Sequence, residues 1–199
     1  MKEKTSSHGN LHFGHFKAAC NHNKNILLHY ALAEIPFRTG FSPLRWQQAT
    51  NVMILKKAGL YNLEKLRTLC LFQADFNHNN KFLGKSTMAH ATEHQLTAAE
   101  QYSTPGKKCI SQALNKRLIF YINRHQKGCL AIASCDLKSC YDRICHTPAA
   151  LAMQSWGVPK EPIQSMFSTL QQIQYKTRTA YGDSNKTFGG VDTRFTSKP

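Results

Sequence analysis

The amino-acid sequence predicts an α+β fold that is rich in helix and has a few short strands. Apolar residues recur at helical spacing over residues 108–125 and again over 160–173. Shorter runs, apolar over 129–135 and alternating over 175–181, are typical of strands. Because both kinds of element are mixed along one chain, we expect helices to pack around a small sheet.

In the N-terminal half, turn residues set the predicted boundaries. Pro36 favours an end to the first helix before it, since a proline inside a helix removes a hydrogen bond. Ser42 and Pro43 look like an N-cap with proline at the first helical position, which predicts a second helix that stops at Gly59. The predicted elements are a loop to residue 16, helices over 17–33 and 42–57, a strand over 67–72 and a helix over 75–94.

In the C-terminal half, the turn residues Gly106 and Gly128 bracket the helix over 108–125. The last predicted strand alternates, which places Lys176 and Arg178 on the same side of it. The predicted elements are a helix over 108–125, a strand over 129–135 that ends at Asp136, helices over 147–156 and 160–173, a strand over 175–181 and a loop from residue 182.

The chain carries a large excess of positive charge. Its 199 residues include 26 Lys and Arg against 11 Asp and Glu, which gives a net charge of +15 and a pI near 9.7. Such an excess favours a polyanionic partner such as nucleic acid, because each neutralised phosphate releases bound counterions. A basic protein without such a partner is the alternative. A membrane surface is disfavoured, since the basic residues are spread along the chain.

Cysteine usage and the N-terminus predict an intracellular protein, nuclear or cytoplasmic. Seven cysteines are an odd number without the spacing of a disulfide framework, so we expect free thiols in a reducing compartment. The N-terminus is polar and lacks a signal-peptide core. The longest apolar stretch, residues 26–35, is too short to span a bilayer. No membrane partner is therefore expected.

One segment carries the residues of a candidate active site. Asp136 comes at the end of the predicted strand over 129–135, and Tyr141 and Asp142 follow closely. A carboxylate at a strand end suits two-metal nucleotidyl transfer, in which carboxylates hold two divalent ions about 4 Å apart. Mg²⁺ then keeps water and substrate phosphates as its other ligands. The alternative is an aspartate that caps the next turn, beside a packed tyrosine.

The segment around Asp136 also resembles a known family. Asp136-x4-Tyr141-Asp142 resembles motif A of reverse transcriptases, and residues 133–144 are similar to the polymerases of non-LTR retroelements. Weaker matches to the fingers motifs and to the N-terminal signature of this domain occur in the same order along the chain, so the resemblance covers roughly residues 8–190. The weaker matches are at 11–18, 45–46, 52–56, 66–71, 74–81 and 100–106.

The resemblance implies one partial reverse-transcriptase domain with the fold of a right-hand polymerase. Fingers would occupy about residues 1–128, and a partial palm with motif A would occupy about residues 129–199. The activity implied is that of an RNA-directed DNA polymerase. Its partners would be an RNA template, a DNA primer and deoxynucleoside triphosphates, and its cofactor Mg²⁺ or Mn²⁺. The motifs do not indicate a protein partner.

The resemblance also gives each site residue a role. Asp136 would bind both catalytic metal ions, assisted by the backbone carbonyl of Leu137. Tyr141 would be the steric gate that selects deoxynucleotides. Arg67 and Lys56 would contact the triphosphate or the template from the fingers, since a guanidinium binds phosphate through paired hydrogen bonds. A solvated basic face is the alternative for both.

The sequence departs from the family after motif A. The Gln-Gly segment and the Tyr-x-Asp-Asp turn of the family are missing, and the later acids Glu161, Asp183 and Asp192 form no Asp-Asp pair. One carboxylate cannot complete a two-metal clamp, so we expect a fragment of a reverse-transcriptase domain that is inactive alone. The strand over 129–135 would then lack neighbours, and exposed apolar edges favour aggregation.

Two other interpretations remain open. The chain is alternatively a non-catalytic, basic nucleic-acid-binding protein derived from a retroelement, which its charge supports equally well. The N-terminal residues His8, His12, His15, Cys20 and His22 include spacings that a zinc site uses, but no Cys-x2-Cys pair accompanies them.

Overall fold

The computed structural model describes residues 7–9, 11–55, 59, 62, 66–104, 106–136, 144–179 and 181–189. Contacts divide the chain into two units, the larger made of Met1–Thr87 with Tyr141–Pro199 and the smaller of Met88–Cys140. The described residues combine helices with a small mixed sheet, so the predicted α+β class is confirmed.

Within the described residues, all strands belong to the larger unit and one complete helix, α4, belongs to the smaller unit. The helices are α1 (Phe13–Ala19), α2 (Asn23–Thr39), α3 (Ala74–Glu93), α4 (Cys109–His125), α5 (His146–Ser155) and α6 (Lys160–Gln172). The strands are β1 (Gln48–Leu55), β2 (Leu66–Leu71), β3 (Gln174–Thr179), β4 (Gly182–Asp183) and β5 (Phe188–Gly189).

The described strands form one mixed sheet in the order β2-β1-β3-β4, and β5 also pairs with β3. Strand β1 is antiparallel to β2 and parallel to β3, whereas β3 is antiparallel to β4 and β5. Thr50 lies opposite Lys176, and Ile54 lies opposite Arg67. Residues opposite each other share a face of a sheet, and every second residue returns to it. One face of the sheet therefore carries Lys176, Arg178 and Arg67. The sequence predicted that Lys176 and Arg178 share a side.

Helix α6 supplies much of the buried side of the larger unit. Its Ile163 and Thr169 are buried, and so is Ile173 directly after it. Ile163 packs against Leu83 of α3 and Val158. The apolar face predicted over residues 160–173 is therefore the face that holds the helix on the fold.

A short 3-10 turn over Leu44–Gln47 anchors the start of β1 to helix α3. The Trp46 ring packs on Phe76, with ring centroids 5.3 Å apart, and its indole N–H donates to Asp75 Oδ2 at 2.7 Å. Arg45 also donates to this carboxylate. The turn thereby fixes where the sheet begins.

Several predicted elements are confirmed to within one or two residues, the usual uncertainty of element ends. The predicted helices over 75–94, 108–125, 147–156 and 160–173 correspond to α3, α4, α5 and α6, and the predicted strands over 67–72 and 175–181 correspond to β2 and β3.

The prediction that Pro36 closes the first helix is wrong. The chain forms two helices, and Pro36 lies inside the last turn of α2, where it is buried. Gly40 ends α2, with φ of 70° and its N–H bonded to the Pro36 carbonyl at 3.0 Å. A glycine in the left-handed conformation is a strong helix stop. Pro36 has no N–H and so leaves one helical hydrogen bond unmade, yet the helix continues past it to Thr39.

The predicted helix over 42–57 is also wrong, because β1 occupies most of it. Thr50, Val52 and Ile54 place a β-branched side chain at every second position. This pattern favours a strand, and β1 gains backbone partners on both sides, in β2 and β3. Sheet pairing therefore outweighs the local N-cap signal of Ser42 and Pro43.

The predicted strand over 129–135 is not formed. Residues 128–136 lie outside helix and strand, and Leu130 and Ile132 are 39% and 42% exposed. A strand needs a neighbour for its backbone groups, and the described residues provide none here. The loop predicted from residue 182 is likewise corrected, since β4 and β5 interrupt it.

Candidate functional site

Asp136, the predicted catalytic carboxylate, lies in the smaller unit, and residues 128–136 are outside helix and strand. Its side chain is exposed and makes no hydrogen bond or ion pair with another described residue. Three further residues to which the resemblance gives roles lie outside the described residues. They are Leu137, Tyr141 and Lys56.

Among the described residues, Asp136 is the one carboxylate at this position. Over the described ranges, no three His, Cys, Asp or Glu side chains come together as metal ligands would. A two-metal site needs several carboxylates, and the described residues bring one to this position. The same finding applies to the N-terminal histidines considered for zinc. His12 and His15 stack with ring centroids 4.1 Å apart, while His8 contacts Thr50.

Arg67 is exposed on β2 in the larger unit, and its side chain has no ion-pair partner among the described residues. Arg67 belongs to the larger unit and Asp136 to the smaller one. Within its own unit, Arg67 shares a sheet face with Lys176 and Arg178.

A groove of about 640 Å³ runs along α4 in the smaller unit. We call it the α4 groove. Its cations are Lys116, Arg117 and Arg124, and its rings are Phe120 and Tyr121. The remaining lining residues are Ala113, Asn123, Gly128 and Leu130.

Helical spacing explains how cations and rings come to alternate in the α4 groove. Lys116, Phe120 and Arg124 are four residues apart and form one row along the helix. Arg117 and Tyr121 belong to the adjacent row, and the Arg117 guanidinium lies 6.0 Å from the centre of the Tyr121 ring. Both rings are about half exposed, at 49% and 57%. Each is therefore open to a ligand.

The chain after α4 turns back to form the other side of the groove. Lys127 adopts a positive φ of 51°, and the Asn123 side chain donates to the Gly128 carbonyl at 3.0 Å. A Cβ atom at Gly128 would lie 2.6 Å from Asn123 Oδ1. Glycine therefore permits the close approach that brings Leu130 against the groove.

The charged residues that line the α4 groove are all cations. Residues 101–135 contain no Asp or Glu. They contain six cations, which are Lys107, Lys108, Lys116, Arg117, Arg124 and Lys127. Counterion release then favours a polyanionic ligand at this surface. This run of cations without acids is visible in the sequence. The apolar spacing over 108–125 instead predicts a buried face, which the structure does not form, since α4 buries no residue.

A second concave site, which we call the sheet cleft, lies on the face of the sheet that carries Lys176 and Arg178. It has a volume of about 430 Å³. It is lined by Ser7, His8, Gly9, Gln48, Ala49, Thr50, Gln174, Lys176, Arg178, Asp183 and Thr187. The alternation of residues 175–181 predicted its cations, whereas nothing in the sequence predicted that His8 joins them.

The fold is of the α+β class, and two concave surfaces among the described residues carry basic side chains. No protein-family model, curated protein or solved structure matches the chain. The resemblance to reverse transcriptases therefore stays a prediction from the motifs. Among the described residues, every helix is too short or too polar to cross a membrane. The six described cysteines carry free thiols, and burial raises the pKa of Cys70 to about 11.

Proposed function

We propose that this chain is the first part of a reverse-transcriptase domain, a template-directed nucleotidyltransferase, and that alone it binds nucleic acid without polymerising nucleotides. The α4 groove is the observation that carries the binding half of this proposal. The motif around Asp136, with its resemblance to motif A, supports the catalytic half.

The α4 groove suits a single-stranded nucleic acid. Lys116 and Arg117 are neighbours, and Arg124 follows about two turns further along α4, so the groove offers cations to phosphates at two positions. Phe120 and Tyr121 offer faces on which unpaired bases stack, each stack contributing about 1–3 kcal/mol. In a duplex the bases are already stacked on one another. We therefore expect a duplex to bind through its phosphates alone and more weakly.

Asp136 belongs to the same unit as this groove. Six residues of chain lead to it from Leu130, which lines the groove. A fully extended segment of that length spans at most about 20 Å. A strand held in the α4 groove would therefore pass within a few nucleotides of this carboxylate.

Catalysis requires further carboxylates beside Asp136. In this proposal they come from a polypeptide that carries the Tyr-x-Asp-Asp turn, and Mg²⁺ or Mn²⁺ would be held in the completed site. The RNA template, DNA primer and deoxynucleoside triphosphates are the proposed partners there. Leu137 would assist metal binding through its carbonyl, Tyr141 would exclude ribonucleotides, and Arg67 and Lys56 would contact phosphates.

Substitution of the two rings tests the binding half. Fluorescence anisotropy of a labelled single-stranded RNA or DNA measures the dissociation constant of the full chain. Phe120→Ala and Tyr121→Ala are each expected to weaken binding about 5- to 150-fold, the equivalent of one lost stack. Ile119→Ala is the matched control, because Ile119 is an exposed apolar residue of α4 outside the groove. Wild-type affinity in both ring variants would remove the groove from the proposal.

Nucleotide incorporation tests the catalytic half. The chain is combined with a polypeptide that supplies the Tyr-x-Asp-Asp turn, and primer extension is measured with Mg²⁺ or Mn²⁺. Incorporation is expected with wild type and is expected to be lost in Asp136→Asn. Glu100→Gln is the control, because Glu100 is an exposed acid of the same unit. Equal incorporation by all three proteins would show that Asp136 is not the catalytic carboxylate.

One observation favours a second candidate function, a non-catalytic nucleic-acid-binding protein. Asp136 is exposed and has no second carboxylate beside it among the described residues. This candidate predicts binding at the α4 groove and no incorporation in any combination. The ring variants and the primer-extension assay together separate the two functions.

A further inference from the structure

The sheet cleft is a polar site that neither proposed function uses. The segment 7–9, three strands and Thr187 converge on it. The segment 7–9 lies along one side, while β1, β3 and β4 supply Thr50, Lys176 and Asp183. Its volume of about 430 Å³ is large enough for a small polar ligand.

The charges in the sheet cleft indicate the charge of the ligand that it would bind. Lys176 is exposed and has no ion-pair partner among the described residues, and Arg178 binds Asp183 through two hydrogen bonds of 2.6 and 2.9 Å. Two cations and one carboxylate leave a single positive charge. A proton on His8 would raise it to two, which matches a dianion.

His8 is held in place on the cleft wall. Its Nδ1 lies 2.8 Å from Thr50 Oγ1, and its backbone N–H donates to the Phe72 carbonyl at 2.9 Å. Partial burial lowers the pKa of His8, and the charge of Arg178 lowers it further. Lys176 acts in the same direction, while the hydrogen bond with Gln48 and the charge of Asp183 oppose the change. Burial and the neighbouring cations therefore favour the neutral form of His8.

An anion in the cleft reverses this balance. Negative charge beside Lys176 and Arg178 cancels the repulsion that a protonated His8 meets. The imidazolium then becomes a charged donor to the ligand, and charged donors make the stronger hydrogen bonds. The neutral donors Ser7 and Gln48 also line the site.

We propose that the sheet cleft binds a phosphate dianion, either inorganic phosphate or a phosphate monoester, between Lys176, Arg178 and His8, and that binding is accompanied by uptake of one proton on His8. A monoester carries close to two negative charges at neutral pH, whereas an internal phosphodiester or a carboxylate carries one. The site is independent of the α4 groove. Its ligand is either a free phosphate or the terminal phosphate of an oligonucleotide, since both present the same dianion.

Isothermal titration of the full chain tests the proposal. The probes are inorganic phosphate, and a dinucleotide with and without a 5′-phosphate, in buffers of different ionisation enthalpy near neutral pH. Binding with uptake of up to one proton is expected for phosphate and for the phosphorylated dinucleotide. A preference for the phosphorylated dinucleotide assigns the site to nucleic-acid ends, and a preference for phosphate assigns it to free phosphate. Binding of neither overturns the proposal.

Variants locate the ligand. Lys176→Gln is expected to weaken phosphate binding about tenfold or more, through loss of a charged hydrogen bond. His8→Asn is expected to weaken it and to abolish proton uptake. Lys24→Gln, at an exposed lysine of α2, is the control. Unchanged phosphate affinity in Lys176→Gln, or unchanged proton uptake in His8→Asn, overturns the proposal.

A measurement on the unaltered protein guards against variants that fail to fold. The His8 ring signals are followed by NMR as a function of pH, without and with saturating phosphate. The pKa of His8 is expected to rise when phosphate is present, and an unchanged pKa would overturn the proposal. Failure here, with binding to the α4 groove retained, rejects this site and leaves the proposed function intact.

Discussion

The guanidinium of Arg178 and the carboxylate of Asp183 form a paired hydrogen bond, Nε to Oδ1 at 2.6 Å and Nη2 to Oδ2 at 2.9 Å. The pair joins β3 to β4 and lines the sheet cleft. It holds Arg178 in a fixed orientation and cancels much of its charge. The stability of the β3–β4 pairing at low pH and the charge of the sheet cleft therefore both depend on the Asp183 carboxylate.

Asp183→Asn removes that carboxylate, and its effect is expected to depend on pH. The hydrogen bond from Arg178 holds the pKa of Asp183 below its ordinary value of 3.8. The unfolded state therefore binds the proton more readily, so the pair stabilises the fold above that pH and the contribution is lost as pH falls through the lowered pKa.

Thermal unfolding of wild type and Asp183→Asn, measured from neutral pH into the acid range, checks this. A small difference in Tm at neutral pH is expected, because both side chains are exposed to solvent. The difference should shrink below about pH 4. A constant difference across the range would contradict the role of this ion pair.

His8→Gln is expected to remove a pH dependence of stability near neutrality. Burial, and then the charge of Arg178, lower the pKa of His8 from 6.5. Above 6.5 His8 is neutral in both states. Between 6.5 and the lowered pKa the unfolded chain takes up the proton first, so the wild-type protein loses stability as pH falls.

The measurement is chemical unfolding at a series of pH values in a buffer free of phosphate. Wild type should lose free energy of unfolding below pH 6.5, while His8→Gln, which does not titrate, should lose less. Thr50→Val, which removes the hydroxyl that His8 contacts, should keep the pH dependence, because the burial of His8 and the charge of Arg178 remain. If the free energy of unfolding of wild type and of His8→Gln changed equally with pH, the position of His8 on the sheet would be contradicted.

The elements that the sequence predicted well are those whose side-chain pattern and backbone partners agree. Helix α6 is an example, because its apolar face is also the buried face. Strand β1 replaces a predicted helix because Ser42 and Pro43 are only a local helix signal. The pairing that overrides it involves β2 and also β3, which lies more than a hundred residues away in the chain. A single sequence does not show which distant strand will supply that partner.

The candidate sites divide in a similar way. The motif resemblance points to Asp136 and Arg67. A motif does not show which side chains the fold places beside these two residues. The sheet cleft depends on Thr50 and His8 meeting across forty-two positions of chain, which no local pattern reports. The alternation of Lys176 and Arg178 was visible, because a strand places every second residue on one side.

Gly40 and Gly84 are expected to respond in opposite directions to alanine. Gly40 has φ of 70°, and its added Cβ would lie 3.0 Å from Gln164 Oε1, so Gly40→Ala should lower the free energy of unfolding by about 1–2 kcal/mol. Gly84 lies inside α3 with open space around it, so Gly84→Ala should raise it by about 0.5–1 kcal/mol. Urea unfolding of the two variants measures both. Equal effects would show that Gly40 does not end α2 in the left-handed conformation.

Neutral substitution of the groove cations is expected to change the salt dependence of single-strand binding. Each phosphate contact contributes about −0.7 to the slope of log K against log salt concentration for a single strand. Lys116→Gln and Arg124→Gln should therefore each reduce the slope by about that amount, and the double variant by about twice as much. Anisotropy titrations at several salt concentrations measure the slope directly.

The control and the ring variants make this measurement specific. Lys24→Gln removes the same net charge from the larger unit and should leave the slope unchanged. Phe120→Ala should lower affinity at every salt concentration and leave the slope unchanged, because base stacking releases no counterions. If Lys24→Gln reduced the slope as much as Arg124→Gln, binding would depend on the overall charge of +15 and not on the α4 groove. The slope thus distinguishes a defined groove from a protein that attracts nucleic acid over its whole surface.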